Sequence, residues 1–169
     1  MSAAAQDGPT RPADLPDDRA PDALLAEVLV PGEGGQGRAL VLDAPISFWG
    51  GVDAATGRIA DVRHPQLGES VAGTVLFLPG TIGSSSASAV LMELVHNGHA
   101  PAAIVLHEPD AILLLGLIVA REMGWPTPVA VRLARERHDG FRGCMMAIGA
   151  ATEAGARVAL RIATDAANG

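Results

Sequence analysis

The sequence predicts an α/β fold with a parallel-sheet βαβαβ part and a β-rich part. From Gly73 onward, short apolar runs of strand length alternate with two helix-length stretches. That alternation implies a parallel sheet flanked by helices. Before Gly73 come short strands and a long irregular stretch rich in Gly, Pro, Asp and His, which suggests an attached part built from strands and loops.

Taken in order, Met1 to about Pro21 is Ala, Asp, Pro and Arg with almost no apolar anchor. Residues 1–22 are therefore expected to be a disordered tail and residues 23–169 the folded domain. Ala26–Val30 is a short apolar segment closed by a Pro-Gly-Glu-Gly-Gly run, and Arg38–Leu42 reads as a strand. Pro45–Ser70 has little periodicity, but Phe48, Trp49, Val52, Ile59 and Val62 favour an ordered, functional loop. Gly73–Leu78 reads as a buried strand, and Ser84–Asn97 as a helix with Val90, Leu91, Leu94 and Val95 on one face and Gly98 as its stop. Ala102–Leu106 is a strand. Asp110–Met123 is a helix capped by Asp110 and closed by Gly124, and Val129–Leu133 and Val158–Ile162 complete the strands. Met145 and Met146 read as core or interface filling.

Composition excludes several functions. With 169 residues, 49% of them hydrophobic, the chain can build one core. Mean hydropathy is +0.27, yet the longest apolar run, Ala111–Ala120, falls well short of the roughly 20 residues that span a bilayer. The acidic, Pro-rich N-terminus lacks the basic and apolar regions of a signal peptide, so a cytoplasmic protein is expected. A net charge of −7 disfavours a nucleic-acid partner. There are twelve Arg and no Lys, which removes Schiff-base, pyridoxal-phosphate and P-loop chemistry from this chain. Cys144 is the one thiol, too few for an iron–sulfur cluster on this chain alone.

The most informative chemistry lies at Gly83-Ser84-Ser85-Ser86, where a Gly-rich turn leaves a strand and enters a helix. A helix N-terminus offers free N–H groups and a positive dipole end, which can hold a carboxylate or stabilise an alkoxide. Gly80 and Gly83 would let the backbone approach a ligand closely. The plainer reading is N-capping by Ser. A hydrolase nucleophile elbow fails, because positions 82 and 86 are Ile and Ser where Gly is needed. His96 and His99 have metal-ligand spacing but no acidic companion, so interaction with a helix C-terminus is the better reading. His64, before Pro65, reads as structural rather than substrate-contacting, and Asp53 before Thr56-Gly57 as a turn. Arg58 and Arg63 could bind an anion, although loop arginines are usually solvated. Trp49-Gly50-Gly51 is either a core plug beside a tight turn or an aromatic wall beside a mobile backbone.

Together, Pro45-Ile46-Ser47-Phe48-Trp49-Gly50-Gly51-Val52-Asp53, Thr56-Gly57, Asp61, Arg63-His64-Pro65, Gly68 and Ser70 resemble the small subunit of aconitase X type enzymes. So do Leu78-Pro79, Gly83-Ser84-Ser85-Ser86, Ser88 and Pro101-Ala102-Ala103-Ile104-Val105. The resemblance covers about residues 24 to 133 and is expected to continue to the end, with the acidic N-terminal tail outside it. It implies a swivelling β/β/α domain that pairs with a large subunit carrying the iron–sulfur cluster and most of the substrate pocket. The pair would dehydrate a small hydroxy acid: cis-3-hydroxy-L-proline to a pyrroline-2-carboxylate in bacterial members, (R)-5-phosphomevalonate in archaeal ones. The family's proton acceptor falls on Ser84, with Gly83, Ser85, Ser86, Ser47, Gly50, Gly51 and His64 as expected substrate-binding neighbours and no metal ligand in this chain. Many members carry a basic residue just before the turn Gly, whereas this chain has Ile82. That departure favours a substrate without phosphate. A non-catalytic module that binds an anion at the same helix N-terminus is the alternative.

Overall fold

The computed structural model describes residues 23–163; the expected tail, residues 1–22, lies outside them. The strands are β1 (Ala23–Val30), β2 (Gly35–Val41), β3 (Val52–Asp53), β4 (Arg58–Ile59), β5 (Val75–Leu78), β6 (Ala103–Leu106), β7 (Val129–Arg132), β8 (Met145–Ile148) and β9 (Arg157–Ile162). Two full helices, α2 (Ala87–His96) and α3 (Ala111–Glu122), follow β5 and β6, and a four-residue segment α1 (Phe48–Gly51) precedes β3.

Seven strands close into a barrel in the order β1-β7-β6-β5-β2-β8-β9. β2, β5, β6 and β7 run parallel to one another, while β1, β8 and β9 pair antiparallel and complete the circle. The β-rich part is thus not an attachment. It is the antiparallel half of the same barrel, and closure leaves no open strand edge. β3 and β4 form a separate hairpin within the ordered 45–70 segment.

Strand alternation divides the core in two. Val75, Phe77, Ala103, Val105, Val129 and Val131 point into the barrel. Leu76, Leu78, Ile104 and Leu106 point the other way, under Leu91 and Leu94 of α2 and Leu113 and Leu117 of α3. These strands are buried on both faces, which is why they read as continuous apolar runs. The two helices pack so closely that a Cβ on Gly116 of α3 would lie 2.6 Å from the Ser88 carbonyl oxygen, so this position admits Gly alone. Phe77, stacked on Phe141 at 5.6 Å and edge-on to His138 at 5.3 Å, fills the barrel beside the 3₁₀ turns at Arg135–Arg137 and Asp139–Phe141.

Three element boundaries differ from expectation. β1 begins at Ala23, because pairing with β9 from Ala23↔Arg161 onward extends it past the apolar stretch. β8 is a strand where isolated Met packing was expected: Met146 is buried in the barrel, Met145 faces outward, and β2 and β9 supply its hydrogen bonds. The helix expected from Ser84 starts instead at Ala87, for the reason given below. Among the described residues no helix is long and apolar enough to cross a membrane.

Candidate functional site

The loop from Pro79 to Ser86 leaves the carboxyl end of β5 and enters α2. In an α/β sheet, ligands bind at this end of the parallel strands. Ser86 occupies the N-cap position with helical dihedrals, φ −87° and ψ −4°, and its side chain makes no capping bond. The Ser run is therefore not an N-cap in the ordinary sense. Instead, Ser84 organises a turn ahead of the helix: its Oγ accepts from the Ser86 N–H at 3.3 Å, and its carbonyl accepts from the Ala87 N–H at 3.0 Å. Ser84 is half-buried and Ser85 exposed. A backbone amide thus already points at the oxygen that would have to carry negative charge, with the positive end of the α2 dipole behind it.

Gly83 has no internal reason to be Gly. A Cβ there would meet nothing within 4 Å, and its φ is not positive. Gly80 is similar, its nearest would-be contact an ordinary 3.7 Å to Pro45. Ile82, beside Gly83, is 54% exposed.

Residues 45–47 lie along this loop through an Ile46↔Thr81 bridge and an Ile82 N–H donation to the Ile46 carbonyl at 3.0 Å. α1 follows at once. Trp49 (φ −71°, ψ 117°) and Gly50 (φ 75°, ψ −15°) have the dihedrals of a type II turn, which needs positive φ at its second central residue. The turn sends Trp49 outward, 62% exposed, while Phe48 is buried. The core-plug reading thus applies to Phe48 and not to Trp49. Ser47 is half-buried and donates its hydroxyl to the Trp49 carbonyl at 3.0 Å. Gly51 is buried, and a Cβ there would press Ile46 at 3.0 Å.

His64 is buried, and both ring nitrogens are used within the chain. Nε2 donates to the Ala44 carbonyl at 3.1 Å and Nδ1 accepts from the Gln66 N–H at 3.1 Å. This is the geometry of a residue that holds the loop. Asp53 makes the expected turn, accepting from the Ala55 amide and the Thr56 hydroxyl, both at 2.9 Å. Arg58 donates to the Gly68 carbonyl at 2.7 Å. His96 packs on Trp125 at 5.1 Å, and the His99 ring lies 3.4 Å from the Ala54 carbonyl, so the two do not converge as a metal pair.

One contact joins the loop to the second helix. The Thr81 hydroxyl donates to Oδ2 of Asp110 at 2.6 Å, while Oδ1 accepts from the Ile112 and Leu113 amides at 3.0 Å each, capping α3. Burial works to raise the Asp110 carboxyl pKa. The bonds from Thr81, Leu113 and Ile112 outweigh it and hold the group below its ordinary range. Asp110 was legible as a cap; its bond to Thr81 was not.

The sequence also gave no sign of a polar cleft of about 600 Å³ beyond the ends of β6 and β7, lined in part by Glu27, His107, Glu108, Arg132, Arg137 and Arg157. Arg132 is paired with Glu27 at 2.8 Å. His107 ties the cleft to the β5 end by donating its N–H to the Leu78 carbonyl at 3.4 Å. These residues come from four different barrel segments, so only closure brings them together.

A family model described as the aconitase X swivel domain matches residues 23–152. The chain belongs to that family. Within the aconitase X swivel-domain family, the chain is 44% identical over 108 residues to a cis-3-hydroxy-L-proline dehydratase of Pseudomonas aeruginosa, a match covering 63% of this chain and 18% of that protein. It is 44% identical over 86 residues to the phosphomevalonate dehydratase small subunit of Methanothermobacter thermautotrophicus, covering 51% of this chain and 66% of that one. The chain thus spans less than a fifth of the first relative and just under two thirds of the second. Among solved structures it resembles Thermococcus kodakaraensis aconitase X in its holo form, with TM-score 0.65 and 26% identity over 83% of this chain and 99% of that one. It also resembles the solution structure of a UPF0107 protein, with TM-score 0.67 and 29% identity over 84% of this chain and 99% of that one.

An iron–sulfur cluster does not fit the described residues. No group of three or more His, Cys, Asp or Glu side chains comes together among them, and Cys144 is the chain's one thiol.

Proposed function

We propose that this aconitase X swivel domain is the small part of a two-part hydro-lyase that dehydrates a hydroxy acid, with Ser84 as proton acceptor. The observation that carries the reading is the Ser86 amide directed at Ser84 Oγ at 3.3 Å, on a loop at the carboxyl end of β5. The names of the two relatives, both dehydratases, support the reaction class.

Abstraction of a proton beside a carboxylate places a second negative charge next to the first. A serine hydroxyl can accept that proton only as an alkoxide, and it is a weak acid in water. The turn at Ser84 supplies a fixed amide donor and the N-terminal end of α2, which favour the anion without reorganisation. The α-proton passes to the Ser84 Oγ alkoxide, its electron pair forms the C=C bond as the substrate's C–OH bond breaks, and the hydroxide leaves as water once protonated. From cis-3-hydroxy-L-proline this gives the enamine, Δ2-pyrroline-2-carboxylate, which becomes the Δ1 imine by proton transfer from nitrogen to C3. Exposed Gly83 permits close approach of substrate or partner backbone. Trp49, turned outward by the Gly50 turn, offers an aromatic wall on the neighbouring segment. Because the described residues cannot hold a cluster, that group is assigned to a large partner subunit. The isolated chain is expected to be inactive.

We assign cis-3-hydroxy-L-proline as substrate, with Δ1-pyrroline-2-carboxylate as product. Ile82 supports this over the second reading, phosphomevalonate. It stands exposed beside Gly83 where a cation would help bind a phosphate. The test is turnover by the co-purified complex of cis-3-hydroxy-L-proline and (R)-5-phosphomevalonate, each at matched concentration. Dehydration of the first alone supports the assignment; dehydration of the second alone replaces it.

A further inference from the structure

We propose that Thr81 is the positioning residue of the Ser84 loop, holding it in register through its bond to the α3 cap Asp110; this rests on the reading of Ser84 as proton acceptor. The loop is fixed at its far end by the start of α2 at Ala87, and Ser84 lies three positions after Thr81. Between these points the described hydrogen bonds of residues 82–86 are few: Ile82 N–H to the Ile46 carbonyl, the two bonds that Ser84 accepts, the Val90 N–H donation to the Ser86 carbonyl at 3.3 Å that belongs to the first turn of α2, and a long 3.5 Å donation from Ser88 Oγ to the Ser85 carbonyl. The Thr81 hydroxyl is thus the one side chain of residues 79–86 that ties the loop to another element.

Its anchor is rigid. Asp110 is held by two α3 amides, and α3 shares a core with α2 through Leu113, Leu117, Leu91 and Leu94. Thr81 therefore refers the loop to the same helix pair from which Ser84 receives its amide donor. The Asp110 charge is already met by three donors, so it need not draw on Ser84. Reactive groups on loops depend on such supporting bonds for placement, and a misplacement of about 1 Å can cost on the order of 100-fold in rate.

The test uses the co-purified complex with Thr81→Val, Thr81→Ser and Ser84→Ala beside wild type. Thr81→Val keeps the shape and the α3 cap but removes the tie. Its kcat is expected to fall by up to about 100-fold with KM nearly unchanged, and Thr81→Ser is expected to restore most of it. In parallel, hydrogen exchange at the Ser86 and Ala87 amides, which Ser84 protects, is expected to quicken in Thr81→Val while the α3 amides stay as they were. Unchanged exchange at Ser86 and Ala87 overturns the proposal whether or not a substrate has been found. Quickened exchange with kcat intact also overturns it, because the loop would then be loosened without consequence. If Ser84→Ala retains wild-type turnover, the proton-acceptor reading fails and the catalytic role of Thr81 fails with it, while the exchange result still reports whether Thr81 orders the loop.

Discussion

At Gly50 and Gly83 the same residue type is present for opposite reasons. Gly50 is required by its own backbone, with φ 75° in the left-handed region. Gly50→Ala is expected to cost about 1–2 kcal/mol of stability, read as a lower urea midpoint. Gly83 has neither positive φ nor a neighbour within 4 Å of a would-be Cβ. Gly83→Ala is expected to leave stability within about 0.5 kcal/mol of wild type yet impair turnover by the complex, because the space it fills belongs to what approaches from outside. The motif around Gly50 and the Ser run were both legible as residues, but their geometry was not. No local pattern distinguishes a Ser that caps a helix from one that turns the chain just before it, and α2 begins at Ala87 because Ser84 takes the Ser86 and Ala87 amides.

At the scale of elements, α2 holds the candidate site against the sheet through Leu91 and Leu94, both fully buried over Leu76 and Leu78. Leu91→Ala is expected to lose about 2–5 kcal/mol, measured by denaturant unfolding, since a close-packed helix pair cannot collapse into the space. The apolar face of α2 was readable from its helical spacing, and the parallel strands from their doubly apolar runs. β8 was not readable. Met145–Ile148 is a strand only because β2 and β9 pair with it, a long-range cause that no window of sequence contains. The 45–70 segment was readable as ordered but not as a turn and hairpin fastened by His64 to Ala44 and Gln66.

At the scale of the whole molecule, the barrel carries a titration built into its packing. His138 is buried, and its Nε2 donates to the Leu133 carbonyl at 3.0 Å while Nδ1 has no partner among the described residues. Burial lowers its pKa. The Leu133 bond and Asp139 oppose this, and the charges of Arg135 and His107 add to the lowering. The unfolded chain therefore takes up this proton first as pH falls through the ordinary value of 6.5. Stability is expected to drop as pH falls below about 6.5 by this group's contribution, and His138→Gln is expected to flatten that slope in urea midpoints taken on both sides of it. A persistent slope in the variant would assign it elsewhere. Positive mean hydropathy also finds its place at this scale. α3 is apolar on both sides, with Leu113 and Leu117 in the core and Ile112, Leu115, Ile118 and Val119 on its exposed face.

The account turns on Ser84, and the most direct measurement is dehydration of cis-3-hydroxy-L-proline by the co-purified complex, wild type beside Ser84→Ala with equal cluster loading. The expected result is turnover in wild type and its loss, by three orders of magnitude or more at about 1.4 kcal/mol per tenfold, in an intact variant. Turnover that survives the substitution would contradict the account and place the base on the partner subunit.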